Sequence, residues 1–291
     1  MKNRTLLALL ALLASPLLLH AAPDYKFGKV SKEELEMSSY EPDPEARAVI
    51  LNEDTYLWYD ISTGIDLIYE YTVRIKVLRP EGTDVADVEL DYTSTPSMKE
   101  SISGLNAAAY NLVDGKVVKT PLKKQYIFDE QVSDNLHVVK FSIPEVREGT
   151  VIEYRYRLAS DYVTSIPSLV FQHDIPVMHC SAKAAIPEFF RFNRSLKGYL
   201  SINISESLSS ASIPDTGGMP YTYTIRNIAM SSCENGIRCR YIAQTTGRLI
   251  QFNFSYTLAR IVYPATEFPD LNTFMGMVTE LSNSQIVLKK I

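Results

Sequence analysis

The chain has 291 residues, 46% of them hydrophobic and 22% charged, with a formal net charge of −5. These values suit one large or two ordinary globular domains and exclude a wholly disordered chain. The acidic balance argues against duplex nucleic acid or an anionic membrane surface as a partner.

The first 21 residues read as a secretory signal peptide. Lys2 and Arg4 form a positive start, Leu6 to Leu19 an apolar run, and Ala21 and Ala22 a small-residue cleavage site. The run is too short for a comfortable membrane span. Pro23 hinders cutting directly before it, so cleavage is expected between Ala21 and Ala22. No Cys follows the run, which disfavours a lipid anchor, and no later segment has the length of a span. The mature protein is therefore expected in the periplasm or outside the cell, with no stable membrane span.

Residues 22–46 are polar and acidic and include Pro42 and Pro44; Lys32 to Met37 has room for one or two helical turns. From residue 47 to about 260 the pattern is β almost without pause. Residues 65–77 alternate over a long span, with Ile65, Leu67, Tyr69, Tyr71, Val73, Ile75 and Val77 on one side. Asp66, Glu70, Thr72, Arg74 and Lys76 occupy the other, which a period of two assigns to water. Two further alternating runs, at 137–143 and 150–158, flank a Pro-x-x-x-x-Gly turn at Pro144–Gly149. Other strands are expected near 47–51, 56–60, 85–92, 106–113, 116–119, 169–174, 181–186, 199–204, 220–228, 237–243 and 249–258. Turn signals at Asp114-Gly115, Glu148-Gly149, Gly217-Gly218, Asn235-Gly236 and Thr246-Gly247 separate them. Short strands at this spacing predict an all-β, mostly antiparallel β-sandwich. Residues 261–291 read as a linker-like tail. Pro264 and Phe268-Pro269-Asp270 break the strand pattern, and Leu271 to Leu281 has the spacing of a short helix.

No catalytic constellation emerges. His179 and Cys180 are adjacent, so on a strand they point to opposite faces. His173 meets Cys180 only across a bend near Pro176. His137, His173 and His179 lack metal-ligand spacing, so neither a metal nor a cofactor is expected. The acidic groups at Glu33-Glu34-Glu36 and Asp129-Glu130 read as solvated surface. Asn193, Asn203 and Asn253 each begin an Asn-x-Ser triplet. Of the three cysteines, Cys233 and Cys239 flank a hairpin signal. A two-residue Asn-Gly turn would put them on opposite faces, so a disulfide between them requires an odd-numbered loop. Outward tyrosines offer the remaining binding candidates. Tyr199, Tyr221, Tyr223, Tyr241 and Tyr256 could form a platform that stacks on sugar or peptide. The bland alternative, core or cross-strand packing, accounts for most strand tyrosines.

Several strings carry a family resemblance. They include Val73-Arg74-Ile75-Lys76-Val77-Leu78, Asn106 to Val118, Ile127-Phe128-Asp129-Glu130, Val139 to Pro144, Gly149 to Tyr154 and Phe171 to Val177. In this order they resemble the N-terminal domain of unknown function that precedes a transglutaminase-like domain in exported bacterial proteins. The resemblance spans roughly residues 48–258. It implies a β domain followed elsewhere by a papain-like domain with a Cys-His-Asp triad. None of Cys180, Cys233 and Cys239 lies in a matching catalytic motif, so no catalytic residue carries over. The expected function is a non-catalytic exported module that binds or scaffolds peptide or glycan polymers of the cell envelope. A carbohydrate-binding or carbohydrate-processing sandwich is the alternative, and an inactive remnant of a longer enzyme the third. The leader makes one test direct. N-terminal sequencing of the exported protein should return a chain beginning at Ala22, and a chain beginning at Met1 would contradict the assignment.

Overall fold

The computed structural model describes residues 25–62, 64–196, 202–213, 221–231 and 253–261. The expected leader, the Cys233–Cys239 segment and the expected C-terminal helix lie outside them. Over the described residues the fold is all-β and mostly antiparallel. The strands are β1 (Ala48–Asp60), β2 (Asp66–Val77), β3 (Asp87–Thr93), β4 (Glu100–Val113), β5 (Lys116–Pro121), β6 (Ile127–Gln131) and β7 (Leu136–Ser142). They continue with β8 (Val151–Ser160), β9 (Leu169–Val170), β10 (Cys180–Pro187), β11 (Phe190–Leu196), β12 (Asn203–Ile213), β13 (Tyr221–Ser231) and β14 (Asn253–Ile261). One short helix, α1 (Lys32–Glu36), precedes them.

An eight-stranded sheet runs in the order β12-β13-β10-β1-β2-β8-β4-β5. All its neighbours are antiparallel except β1 and β10, which pair in parallel. Two three-stranded sheets, β3-β7-β6 and β11-β14-β9, complete the framework. Val88, Val139 and Phe141 of the first small sheet join Val73, Ile75, Ala109 and Ile152 of the large one in a single core. Phe190 of β11 stacks on Tyr59 of β1 at 4.6 Å between ring centroids. The Tyr59 hydroxyl donates to Val163 O at 2.8 Å, which ties the connection after β8 to the same core.

The two strands expected at 47–51 and 56–60 are one continuous strand. The pairing of β1 with β2 slips between Ile50 and Asn52, so Leu51 is an extra residue. Such a bulge reverses the phase of every side chain beyond it. Ala48 and Ile50 face the core before it; Glu53, Leu57 and Tyr59 face the core after it. The Asp114-Gly115 hairpin forms as expected, both residues having positive φ (50° and 71°). At the turn between β7 and β8, Glu145 and Gly149 also have positive φ, 59° and 86°. Asn111 and Thr150 hold this turn. Asn111 Nδ2 donates to Glu145 O at 2.9 Å, and the Thr150 hydroxyl donates to Asn111 Oδ1 at 2.7 Å.

The opposite face of the large sheet is not simply wet. Residues 25–46 lie across it, and Leu35 and Tyr40 pack on Val49, Leu51, Ala108, Tyr110 and Val151. Ser31 begins α1 with a reciprocal capping box to Glu34. Arg74 and Lys76, expected in solvent, are buried under this segment at 4% and 0% exposure. Arg74 Nε donates to Glu153 Oε1 at 2.9 Å, its Nη1 to Glu34 Oε1 at 2.7 Å and its Nη2 to Lys26 O at 2.9 Å. Gly28 N donates to Glu153 Oε2 at 2.7 Å. The Lys76 ammonium donates to Leu35 O and Gly149 O, each at 2.6 Å. Burial pushes Lys76 down to about 8, with the charge of Glu34 acting against it.

Removing one partner of such a pair leaves the other charge buried and alone, which costs about 3–5 kcal/mol. Arg74→Ala should lower stability in urea denaturation by that order, because Glu153 is only 2% exposed. A loss under 1 kcal/mol would show that the segment adds little to the fold.

Candidate functional site

Beyond the N-terminal segment, the same outer face carries an open groove of about 760 Å³. It crosses β2, β1, β10, β13 and β12, and Tyr56, Glu70, Lys183, Ser205 and Ser207 are among its lining residues. Alternation explains why these side chains converge. In register, Glu70 sits beside Tyr56, Tyr56 beside Lys183, Lys183 beside Ala229 and Ala229 beside Ser205. One row of outward side chains thus runs across five strands. The neighbouring row places Thr72, Asp54, Ser181 and Ser231 in line.

Tyr56 is 41% exposed, and its ring stacks on Trp58 at 4.7 Å and 25°. The guanidinium of Arg157 lies 5.5 Å over the Trp58 ring and pairs with Glu70 at 2.5 Å. Asp54 accepts from Ser181 Oγ and from Asn52 Nδ2. Glu206 pairs with Arg226 at 3.0 Å. The groove therefore combines an exposed ring, short hydroxyl side chains and carboxylates that are each already engaged. The sequence carries a signal for it. Tyr56 and Trp58 are two apart in a strand whose other phase, Leu57 and Tyr59, already supplies the core.

A second polar cluster is enclosed on the core side. The bulge at Leu51 turns Glu53 inward, where it is 2% exposed. Tyr71 donates to Glu53 Oε1 at 2.5 Å, and His173 Nε2 lies 2.7 Å from Glu53 Oε2. Tyr69, Tyr71, Tyr154 and Tyr156 form a ring cluster beside it, with centroids 5.5–6.4 Å apart. Burial raises all four phenols, Tyr69 to about 12. Burial disfavours the charged form of His173. The hydrogen bond and charge of Glu53, with the charge of Asp174, outweigh it and raise the imidazole above its ordinary value.

Cys180 is the register partner of Glu53 and is 5% exposed; its Sγ lies 3.8 Å from Val170 O. His179 packs its ring on Tyr25 at 5.7 Å, on the outer side, where burial lowers its pKa against the pull of Asp54. Adjacent residues thus face opposite ways, as strand geometry requires. His137 stacks on Tyr92 at 4.9 Å, and its Nδ1 lies 3.9 Å from Asp129. Among the described residues, no group of three or more His, Cys, Asp or Glu is placed to hold a metal ion. Nor is any helix there long and apolar enough to cross a membrane.

The expected tyrosine platform fares differently residue by residue. Tyr223 is buried at 6%, its ring 5.8 Å from that of Phe189, and so belongs to the core rather than to an outward surface. Tyr221 and Tyr256 lie on β13 and β14. Tyr199, Tyr241, Cys233 and Cys239 lie outside the described residues.

The fold and its two polar clusters define a β module whose reactive groups are mostly tied into its own structure. Its family follows from comparison. The domain of unknown function DUF3857, a family with a solved structure, matches residues 67–230, more than half of the chain, and the chain belongs to that family. No curated protein matches it. Among solved structures, a candidate protease of Parabacteroides distasonis is similar at 14% identity and a TM-score of 0.48, over 72% of this chain and 40% of that one. An M1 zinc metallopeptidase of Deinococcus radiodurans aligns at 11% identity and a TM-score of 0.28, over 68% of this chain and 45% of that one. The chain spans less than half the length of either. A candidate nutrient binding protein of Legionella pneumophila aligns at 8% identity and a TM-score of 0.30, over 73% and 68% of the two chains. Identities and scores this low carry no activity across to this chain.

The His173–Glu53 pair generates a test with a definite sign. A histidine whose folded pKa is raised stabilises fully below its unfolded value, about 6.5, and loses that contribution as pH rises through the folded pKa. Urea denaturation of His173→Gln should therefore show its largest deficit against the parent below pH 6. The deficit should shrink once the pH passes well above 6.5. A deficit that is constant from pH 5.5 to 8.5 would show that the pair does not titrate with folding.

Proposed function

We propose that this DUF3857 chain is a non-catalytic, exported accessory module that holds a polymer of the cell envelope in the groove across β2, β1, β10, β13 and β12. The observation that carries the reading is the exposed, stacked Tyr56–Trp58 pair set in a row of outward polar side chains. An aromatic ring left 41% exposed beside charged and hydroxyl groups suits a ligand with both apolar faces and polar edges. The enclosed Glu53 cluster supports the non-catalytic half of the reading, since its carboxylate is taken up by Tyr71 and His173 within the core. The leader supports export. The resemblance to domains that precede transglutaminase-like enzymes supports an accessory role, with chemistry supplied by a different domain.

A carbohydrate-processing reading ranks second, because Asp54 and Glu70 line one groove. Hydrolysis requires two carboxylates free to act on one bond, and here each is held by a protein donor. Release of reducing sugar by the parent but not by Glu70→Gln would favour it.

Cosedimentation with purified peptidoglycan sacculi tests the main proposal. The parent should pellet with sacculi, and Tyr56→Ala should bind at least about fivefold more weakly, in line with an aromatic contact of about 1 kcal/mol. Melting temperature should fall by only a few degrees, the loss of one ring stack on Trp58. Equal binding by parent and variant would overturn the groove as the binding surface.

A further inference from the structure

Resting on the groove assigned above, we infer that its ligand is a glycan bearing a carboxylate, with a sugar face on Tyr56 and the acid on Lys183. Three observations converge on this class. The first concerns backbone. The strands across most of the groove floor, β2, β1, β10 and β13, are each paired on both sides. An extended peptide gains most of its affinity by adding to an unpaired edge; among the described residues only β12, at the rim of the groove, has one, and the other four strands offer none. Recognition there must come from side chains.

The second concerns the lining. Thr72, Ser181, Ser205 and Ser207 are short hydroxyl groups that line the groove together with Asn227 and one aromatic ring, Tyr56; of these Ser181 donates to Asp54 and Asn227 to Ser209. Hydroxyls both donate and accept, so they match the alternating donors and acceptors of sugar hydroxyls. The groove volume of about 760 Å³ falls within the roughly 300–1,000 Å³ that encloses a drug-sized ligand.

The third concerns charge. Three carboxylates line the groove, yet Asp54, Glu70 and Glu206 are engaged by Ser181, Arg157 and Arg226 respectively. Lys183 is exposed and, among the described residues, forms no ion pair. Asp54, held only by the neutral donors Ser181 and Asn52, keeps its negative charge, so the lining is not positive overall; Lys183 is its one cation, and that cation is unpaired among the described residues. A charge-assisted hydrogen bond from an ammonium to a carboxylate is about twice as strong as a neutral one. Lys183 also stands beside Tyr56 in register, so one ring-bearing acid reaches both.

Isothermal titration with trigalacturonic acid, its methyl ester and tri-glutamate separates the possibilities. The parent should bind the acid about tenfold more tightly than the ester, the effect of one charge-assisted bond. Lys183→Ala should abolish that difference, and Lys183→Arg should keep it. Tyr56→Ala should weaken acid and ester alike. Equal binding of acid and ester by the parent would overturn the carboxylate assignment while leaving the groove as a polymer site. Tri-glutamate binding as tightly as the acid would overturn the glycan assignment. Failure to bind trigalacturonic acid while the parent still pellets with sacculi would overturn this inference alone. Failure on both counts would overturn the accessory-binding reading with it.

Discussion

The extra residue at Leu51 sets the chemistry on both sides of β1. Without the slip, the phase that places Ala48 and Ile50 in the core would carry Asn52, Asp54 and Tyr56 inward. A carboxylate would then sit among Leu and Phe, and the Tyr56–Trp58 pair would be lost from the surface. With the slip, Glu53 is the one acid of this stretch that turns inward, and it meets Tyr71 and His173 there. Asp54 and Tyr56 are released to the outer face. The groove and the enclosed cluster are thus two results of one backbone irregularity, which fits the wider tendency of bulges to re-aim side chains near functional surfaces.

Inward polarity is tolerated here because it is matched. A buried carboxylate without partners would be protonated or would unfold its surroundings. Glu53 has a phenol on one oxygen and an imidazole on the other. Arg47 extends the arrangement outward, since its guanidinium donates to both Asp84 and Asp174. Asp174 follows His173 directly, so the segment bearing the histidine is fastened from two directions. On the outer face Glu153 is matched by Arg74 and by Gly28 N. Both buried acids therefore act as fasteners between the large sheet and a segment laid over it.

Much of the framework was legible in the sequence. The alternation in residues 65–77 yields β2, and Asp114-Gly115 yields the β4–β5 hairpin, because both signals are local. What covers each face was not legible. Arg74 and Lys76 alternate as a solvated face would, yet a capped helix and an extended strap bury them. Alternation reports that two faces differ, not which one meets water. The same limit explains the tyrosines. Tyr223 satisfies the pattern of an outward platform but packs on Phe189, whereas Tyr56 sits between polar neighbours and is exposed. The strand at 56–60 was legible, but the phase of its exposed side depends on a bulge that no local composition announces.

The parallel pairing of β1 with β10 has a consequence for where the domain begins. The two strands lie side by side at the middle of the large sheet, and the Ser181–Asp54 bond joins residues 127 positions apart. Contacts of such separation form late, because the loop must close before they are rewarded. Until β10 arrives, one edge of β1 stands open, and open edges invite pairing with other chains. The family match starts at residue 67, after β1 has ended. A fragment trimmed to those limits would remove the strand that joins the halves of the sheet, leaving β2 and β10 each with a bare edge. The physical unit is longer than the recognisable one, and residues 25–46, ahead of β1, are the strap that seals the far side.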